Sequence, residues 1–264
     1  MIPQAAKGKM PMTPKLKDPQ AADCWATKAA RNNAEWCDFV CRSHGAPGEF
    51  YDNIWINRHT TPRFYPNAVT FSSSQSTRQY EIIQALIEIR IPGDLAVKDS
   101  FDALDLTSGG FRDLMRGEWI HRPTSEIPET RIPGISWQKI EQVADLRAWE
   151  TAWRGNSQEE SRIFMPRLLD EERIAFIAAL QGNRIVAGCI ANRSEDGVGI
   201  SNIFLPDEMP SEFRAGSVAE VFRWSAGLPL MGWESGNDLV AMRSLGFESV
   251  GRLKVWLRQS SQSV

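Results

Sequence analysis

Apolar and polar residues alternate along this chain at two periods, and the two periods alternate with each other. Trp25, Ala29, Trp36, Phe39 and Val40 recur at helical spacing and predict a helix over residues 21–43. His44-Gly45 and then Pro47 stop it. Residues 50–71 read as strands with a Pro-broken connection, including the turn-like cluster Phe64-Tyr65-Pro66-Asn67. Ile82, Ile83, Leu86 and Ile89 form the inner face of a second helix over 77–89, which Pro92-Gly93 ends. Residues 95–106 read as a strand or a short helix. Gly109-Gly110 is a turn, and 111–121 a further strand.

The second half repeats the alternation more clearly. Residues 135–140 are a strand. Val143, Leu146, Trp149 and Trp153 mark a helix that Gly155 ends, and 164–169 a short second one. Strands follow at 174–180, 184–191 and 198–205, with hairpin turns at Gln181-Gly182-Asn183 and Glu195-Asp196-Gly197. Ser217 and Glu220 have capping-box spacing and predict a helix start at Val218. A short strand at 231–234 runs through Ser235-Gly236-Asn237 into a helix carrying Leu239, Met242 and Leu245. Gly246 suits the left-handed stop, and Leu253, Val255 and Leu257 alternate in a last strand.

An internal echo links the halves. Asp102 and Asp238 each stand nine residues before a Phe, Phe111 or Phe247, that follows a Gly; Trp119 or Trp256 comes eight or nine residues later. Both halves are therefore expected to end in the same supersecondary unit. Residues 122–134 hold three prolines and few apolar groups and read as a linker. The expected division is a tail over 1–20, one domain over 21–130 and another over 131–264.

Composition narrows the function classes. The net charge is −3 over 264 residues. Residues 1–130 carry 15 Lys+Arg against 16 Asp+Glu, and residues 131–264 carry 15 against 17. Neither half is basic, so no nucleic-acid partner is expected. No stretch approaches the roughly 20 apolar residues that span a bilayer, and the N-terminus lacks the apolar core of a secretory signal. The four Cys are too few for a disulfide scaffold, so a reduced, cytoplasmic setting is expected. Cys37, Cys41 and His44 fall on one helix face with Cys24 upstream, which reads either as a metal-binding group or as thiols buried on an apolar face.

The order of elements from 135 to 258, with its strand, helix, Gly-Phe turn and last strand, resembles the GNAT acyl-CoA N-acyltransferase superfamily. The first half resembles a diverged second copy. The resemblance implies a mixed α/β fold in two tandem copies, with acetyl-CoA as co-substrate and a small-molecule amine as acceptor. By position it places Ile203, Phe204 and Leu205 beside the pantetheine arm. It places Arg214, Ala215, Gly216 and Ser217 around the pyrophosphate, where a helix start offers free N–H groups to an anion. The family's usual Gly-rich loop signature is absent; Arg214 and Gly216 are its remnant, and the plainer reading of Ser217 and Glu220 is a helix cap.

Amide formation needs a base to deprotonate the amine and an acid for the leaving thiolate. Met242 stands where many family members carry a Tyr, and every Tyr and His lies in the first half. Glu195, Asp196 and Glu234 read either as bases or as solvated turn charges, and Cys189 as core, so no catalytic residue is assigned. Two functions follow: an N-acyltransferase of the GNAT type, or a catalytically silent module of that fold that binds a metabolite or a partner protein.

Overall fold

The protein is described from a computed structural model covering residues 19–124, 130–155 and 161–260. The tail expected over 1–20 lies almost wholly outside the described residues, as does the middle of the linker.

The first half runs as helix α1 (Pro19–Ser43), strands β1 (Glu49–Phe50), β2 (Ile54–Ile56) and β3 (Ala68–Thr70), helix α2 (Ser76–Ile89), then β4 (Leu95–Asp99) and β5 (Arg112–Arg122). The second half runs as β6 (Ile135–Lys139), α3 (Val143–Arg154), a 3₁₀ turn (Pro166–Asp170), β7 (Ile174–Gln181), β8 (Arg184–Arg193), β9 (Val198–Phe204), α4 (Pro210–Ser225), β10 (Leu230–Glu234), α5 (Gly236–Ser244) and β11 (Glu248–Arg258). Residues 95–106, open between strand and helix in the sequence, form β4 and a following turn; a 3₁₀ turn at Thr107–Gly109 leads into β5. Gly246 takes φ 86° after α5, which lets the Phe247 N–H reach the Met242 carbonyl at 3.3 Å.

All the strands join one mixed sheet, in the order β1-β2-β3-β4-β11-β5-β10-β9-β8-β7-β6. The centre of that order is an exchange between the halves. β5 ends the first half but lies between β10 and β11 of the second, antiparallel to both. β11 ends the second half and lies between β5 and β4, antiparallel to β4. Each half closes with the other's last strand. β4 and β10 occupy matching places: each is parallel to the preceding strand across a helical crossover, α2 or α4. Phe111 and Phe247 introduce β5 and β11, and Trp119 and Trp256 are buried in them, so the echo in the sequence marks the two exchanged strands.

Each face of the sheet is covered. One carries α1 and α3, packed over Trp55, Trp119, Phe176, Met231 and Val255. The other carries α2 over Ile54, Val97 and Trp256, and α4 with α5 over Ile177, Val198, Ile200 and Leu230. α1 has 25 residues and so runs about 37 Å. It touches β3 and β5 of the first half and β8, β9 and β11 of the second, tying both halves together.

Candidate active site

The sheet opens at one place in the second half. β9 and β10 are parallel and pair only at Val198 with Leu230 and Gly199 with Met231. Beyond that point they diverge, so the β9 edge from Ser201 to Phe204 faces β10 without a strand partner. At the closed end the backbones come close: a Cβ on Gly232 would lie 2.8 Å from the Ile200 carbonyl oxygen. β9 also carries a bulge. Its register to β8 shifts between Gly188 and Ile190, and Asn202 sits at φ 51°, a left-handed conformation that Asn tolerates. Unpaired edge and bulge together present backbone N–H and C=O groups to the gap.

The structure brings part of the expected group to this gap. Ile203 packs toward the α4/α5 face. The bulge turns Phe204 to the opposite face, where its ring meets Trp149 at 5.1 Å. Leu205 follows the strand and packs with Phe213 and Ile132.

Arg214, Ala215, Gly216 and Ser217 are not a loop, and the helix does not start at Val218. α4 begins at Pro210, so these four residues lie in its second and third turns. Proline at the first helical position presets the backbone there, and the Phe213 N–H bonds the Met209 carbonyl at 3.2 Å. Ser217 is fully buried, and its hydroxyl donates to the Phe213 carbonyl one turn back, at 3.0 Å. Glu220 pairs with Arg223 rather than capping. Gly216 is needed for packing: a Cβ there would lie 2.4 Å from the Trp137 ring. Arg214 crosses from α4 to α5, where it pairs with Asp238.

Glu234 is the feature the sequence left open. β10 side chains alternate, and Met231 and Trp233 join the α1 side while Leu230 joins the α4/α5 side. Period two therefore sends Glu234 toward α4 and α5 at the open end of the gap. Burial raises its pKa to about 7; Asp238 adds to the rise and Arg214 opposes it. Asp196, by contrast, pairs with Lys28 at 2.8 Å, far along the chain from the gap's mouth, and Glu195 is exposed in the same turn.

Met242 is fully buried in the α5 core. Cys189 is buried too, its thiol pushed up by desolvation. In α1, Cys37 and Cys41 lie in the core and Cys24 is exposed, while the His44 ring Nε2 lies 2.8 Å from the Ile163 carbonyl. Burial raises the Cys37 thiol to about 11. Among the described residues no three His, Cys, Asp or Glu side chains gather as a metal site, and no helix is long and apolar enough to cross a membrane.

The arrangement, a mixed sheet that splays between two parallel strands with a helix crossing over each, is that of the GNAT acyltransferase fold. Solved structures agree. A GCN5-related N-acetyltransferase from Kribbella flavida superposes with a TM-score of 0.60 at 14% identity, over 89% of this chain and 97% of that one. One from Sphaerobacter thermophilus gives 0.55 at 11%, over 93% and 94%. A tandem GNAT protein from the clavulanic acid biosynthesis pathway gives 0.53 at 9%, over 90% and 96%. No protein-family model and no curated protein matches the sequence. At these identities the likeness is one of fold: the chain has the GNAT fold, and a tandem GNAT protein is among the structures it resembles.

Proposed function

We propose that the protein is an N-acyltransferase that moves an acyl group from a thioester donor, such as acetyl-CoA, to a small amine, with the β9–β10 gap as its site. The carrying observation is the divergence of β9 from β10 after Gly199, with a bulged, unpaired edge on one side and Glu234 at the mouth.

The gap suits the amide-bearing pantetheine arm, since an extended chain can bond the free edge of β9 at residues 201–204, with Ile203 alongside. The donor supplies an acyl group activated as a thioester. Glu234 takes the proton from the attacking ammonium or amine; a carboxylate held near pH 7 is ionised for about half the molecules at neutrality and stronger as a base than an ordinary one. The new C–N bond forms as the C–S bond breaks. Met242 offers no proton, so the departing thiolate takes one from water. A thiolate is a good enough leaving group to need no enzyme-bound acid.

Calorimetric titration of the full chain with acetyl-CoA and with acetyl-pantetheine tests this reading. Heat saturating with one site per chain is expected. No heat from either compound at millimolar concentration refutes it.

A further inference from the structure

We infer that the site recognises its donor as an acyl-pantetheine thioester and gains nothing from a nucleotide diphosphate; the inference rests on the acyltransferase reading of the β9–β10 gap. The argument is the chemistry at the mouth of the gap. An anion there needs helix N-termini with free N–H groups, or cations. Two helices start at the mouth, α4 after β9 and α5 after β10; α4 is unsuited, and at the α5 start Arg116 is committed to Asp102 and Asp113 while Arg252 shares its hollow with Glu118.

α4 begins with Pro210, which has no N–H to offer. The residue before it, Met209, is left-handed at φ 54°. The connecting residues 205–209 contain no glycine, so no N–H cradle forms by close backbone approach. They contain Asp207 and Glu208, and Glu212 follows in the first turn, so carboxylates already occupy the positive end of the dipole. α5 carries Asp238 in its own first turn. Glu212 and Asp238 thus stand at the two helix starts and Glu234 at the end of β10, while Asp207 and Glu208 lie in the connection that leads into α4. Residues 205–213 and 234–242 hold no Lys or Arg. Arg214, between them, is mostly buried and committed to Asp238. Arg184 reaches the hollow of about 360 Å³ beside the α4 start, but Asp207 and Glu208 line it too. The remaining lining includes Ile132, Val186 and Phe213, which attract no phosphate. The gap thus fits the uncharged arm of an acyl-CoA and repels its charged end.

The test compares acetyl-CoA with acetyl-pantetheine by calorimetry on the full chain at low salt, alongside turnover by free-thiol release. Acetyl-CoA is expected to bind no tighter than acetyl-pantetheine, because no phosphate contact adds to its affinity and the carboxylates oppose its charged end. Acetyl-CoA binding about thirtyfold or more tighter overturns the inference while leaving the acyltransferase reading intact. Binding of neither refutes that reading and the inference with it. A D207N/E208Q/E212Q variant supplies a second readout. Its affinity for acetyl-CoA should rise about fivefold or more at low salt with that for acetyl-pantetheine unchanged. An unchanged acetyl-CoA affinity overturns the electrostatic account.

Discussion

Asn32 and Asn192, 160 residues apart, hydrogen-bond to each other in both directions. The Asn32 amide donates to the Asn192 carbonyl at 3.0 Å, and the Asn192 amide donates to the Asn32 carbonyl and side-chain oxygens, both at 3.0 Å. Both residues are buried. The pair fixes α1 of the first half onto β8 of the second, close to the closed end of the gap.

Gly199 completes that contact. A Cβ there would lie 2.1 Å from the Asn32 side-chain oxygen and 2.4 Å from that of Asn192. Gly199→Ala must therefore push the two amides apart, and Asn192→Leu removes the donor that the buried Asn32 side-chain and backbone oxygens share. Each should cost about 1–3 kcal/mol, the penalty of a buried polar group left unmade. Urea unfolding followed by tryptophan fluorescence measures it; a wild-type midpoint in both variants would show that the pair does not hold α1.

Glu234→Gln keeps the shape of the site and removes the proposed base. Turnover should fall about 10²- to 10⁴-fold, the range for a lost general base, with donor affinity nearly unchanged. In the wild type, kcat/KM should rise with pH through about 7 and then level off, because burial places the carboxyl there and only its ionised form accepts the proton. The residual rate of the variant should lack that limb. A variant with the same rising limb would place the base elsewhere.

His121 makes a prediction about acid. Its ring is buried, stacks on Trp25 with centroids 3.8 Å apart, and has no hydrogen-bond partner on either nitrogen among the described residues. Desolvation, helped by Lys28, lowers its pKa to about 4 from an ordinary 6.5. The fold thus favours the neutral ring. The sign follows: the histidine costs nothing above pH 6.5, and stability is lost as pH falls from 6.5 towards 4 because the unfolded chain binds the proton first. Glu234 and Glu35, whose pKa values are raised, act in the opposite sense over part of that range. The difference between wild type and His121→Phe isolates the histidine. The variant should lose less stability between pH 7 and 5 in matched urea titrations; parallel pH curves would refute the assignment.

The sequence carried most of the elements and little of their partnering. Helical spacing from Trp25 to Val40 and the Gly246-Phe247 stop are local signals, and α1 and α5 form where they predict. The start of α4 was legible as well, in Pro210, a residue that favours the first helical position. The Ser217–Glu220 spacing masked it, because a serine that bonds back to the carbonyl one turn earlier has the same sequence signature as a cap. The exchange of β5 and β11 was not legible: both alternate as any strand does, and nothing in alternation says which edge a strand joins. Glu234 reads as a turn charge because it ends a strand, and only packing by α4 and α5 makes it a half-buried carboxyl with a raised pKa. Asn202 gave no signal of its bulge, since the left-handed φ is imposed by the register between β8 and β9.

The exchange makes the last prediction. β5 bonds β11 from Glu248 to Leu257 on one side and β10 from Leu230 to Glu234 on the other. Residues 131–264 alone lack it, so β10 and β11 would each expose an unpaired edge, and Ile120 would be missing from the core shared with Leu239, Met242 and Phe247. Loss of that isoleucine and of Trp119 on the opposite face removes two fully buried side chains, each worth about 3–5 kcal/mol for tryptophan or 2–5 kcal/mol for isoleucine when cut to alanine. Those losses rival the 5–15 kcal/mol that typically holds a domain folded. Residues 131–264 expressed alone should therefore lack cooperative unfolding and dispersed amide NMR signals. Co-expression with residues 1–130 should restore both, and the two pieces should purify as one complex. A fragment 131–264 that folds alone, with a sharp unfolding transition, would show that β5 is dispensable to the second half.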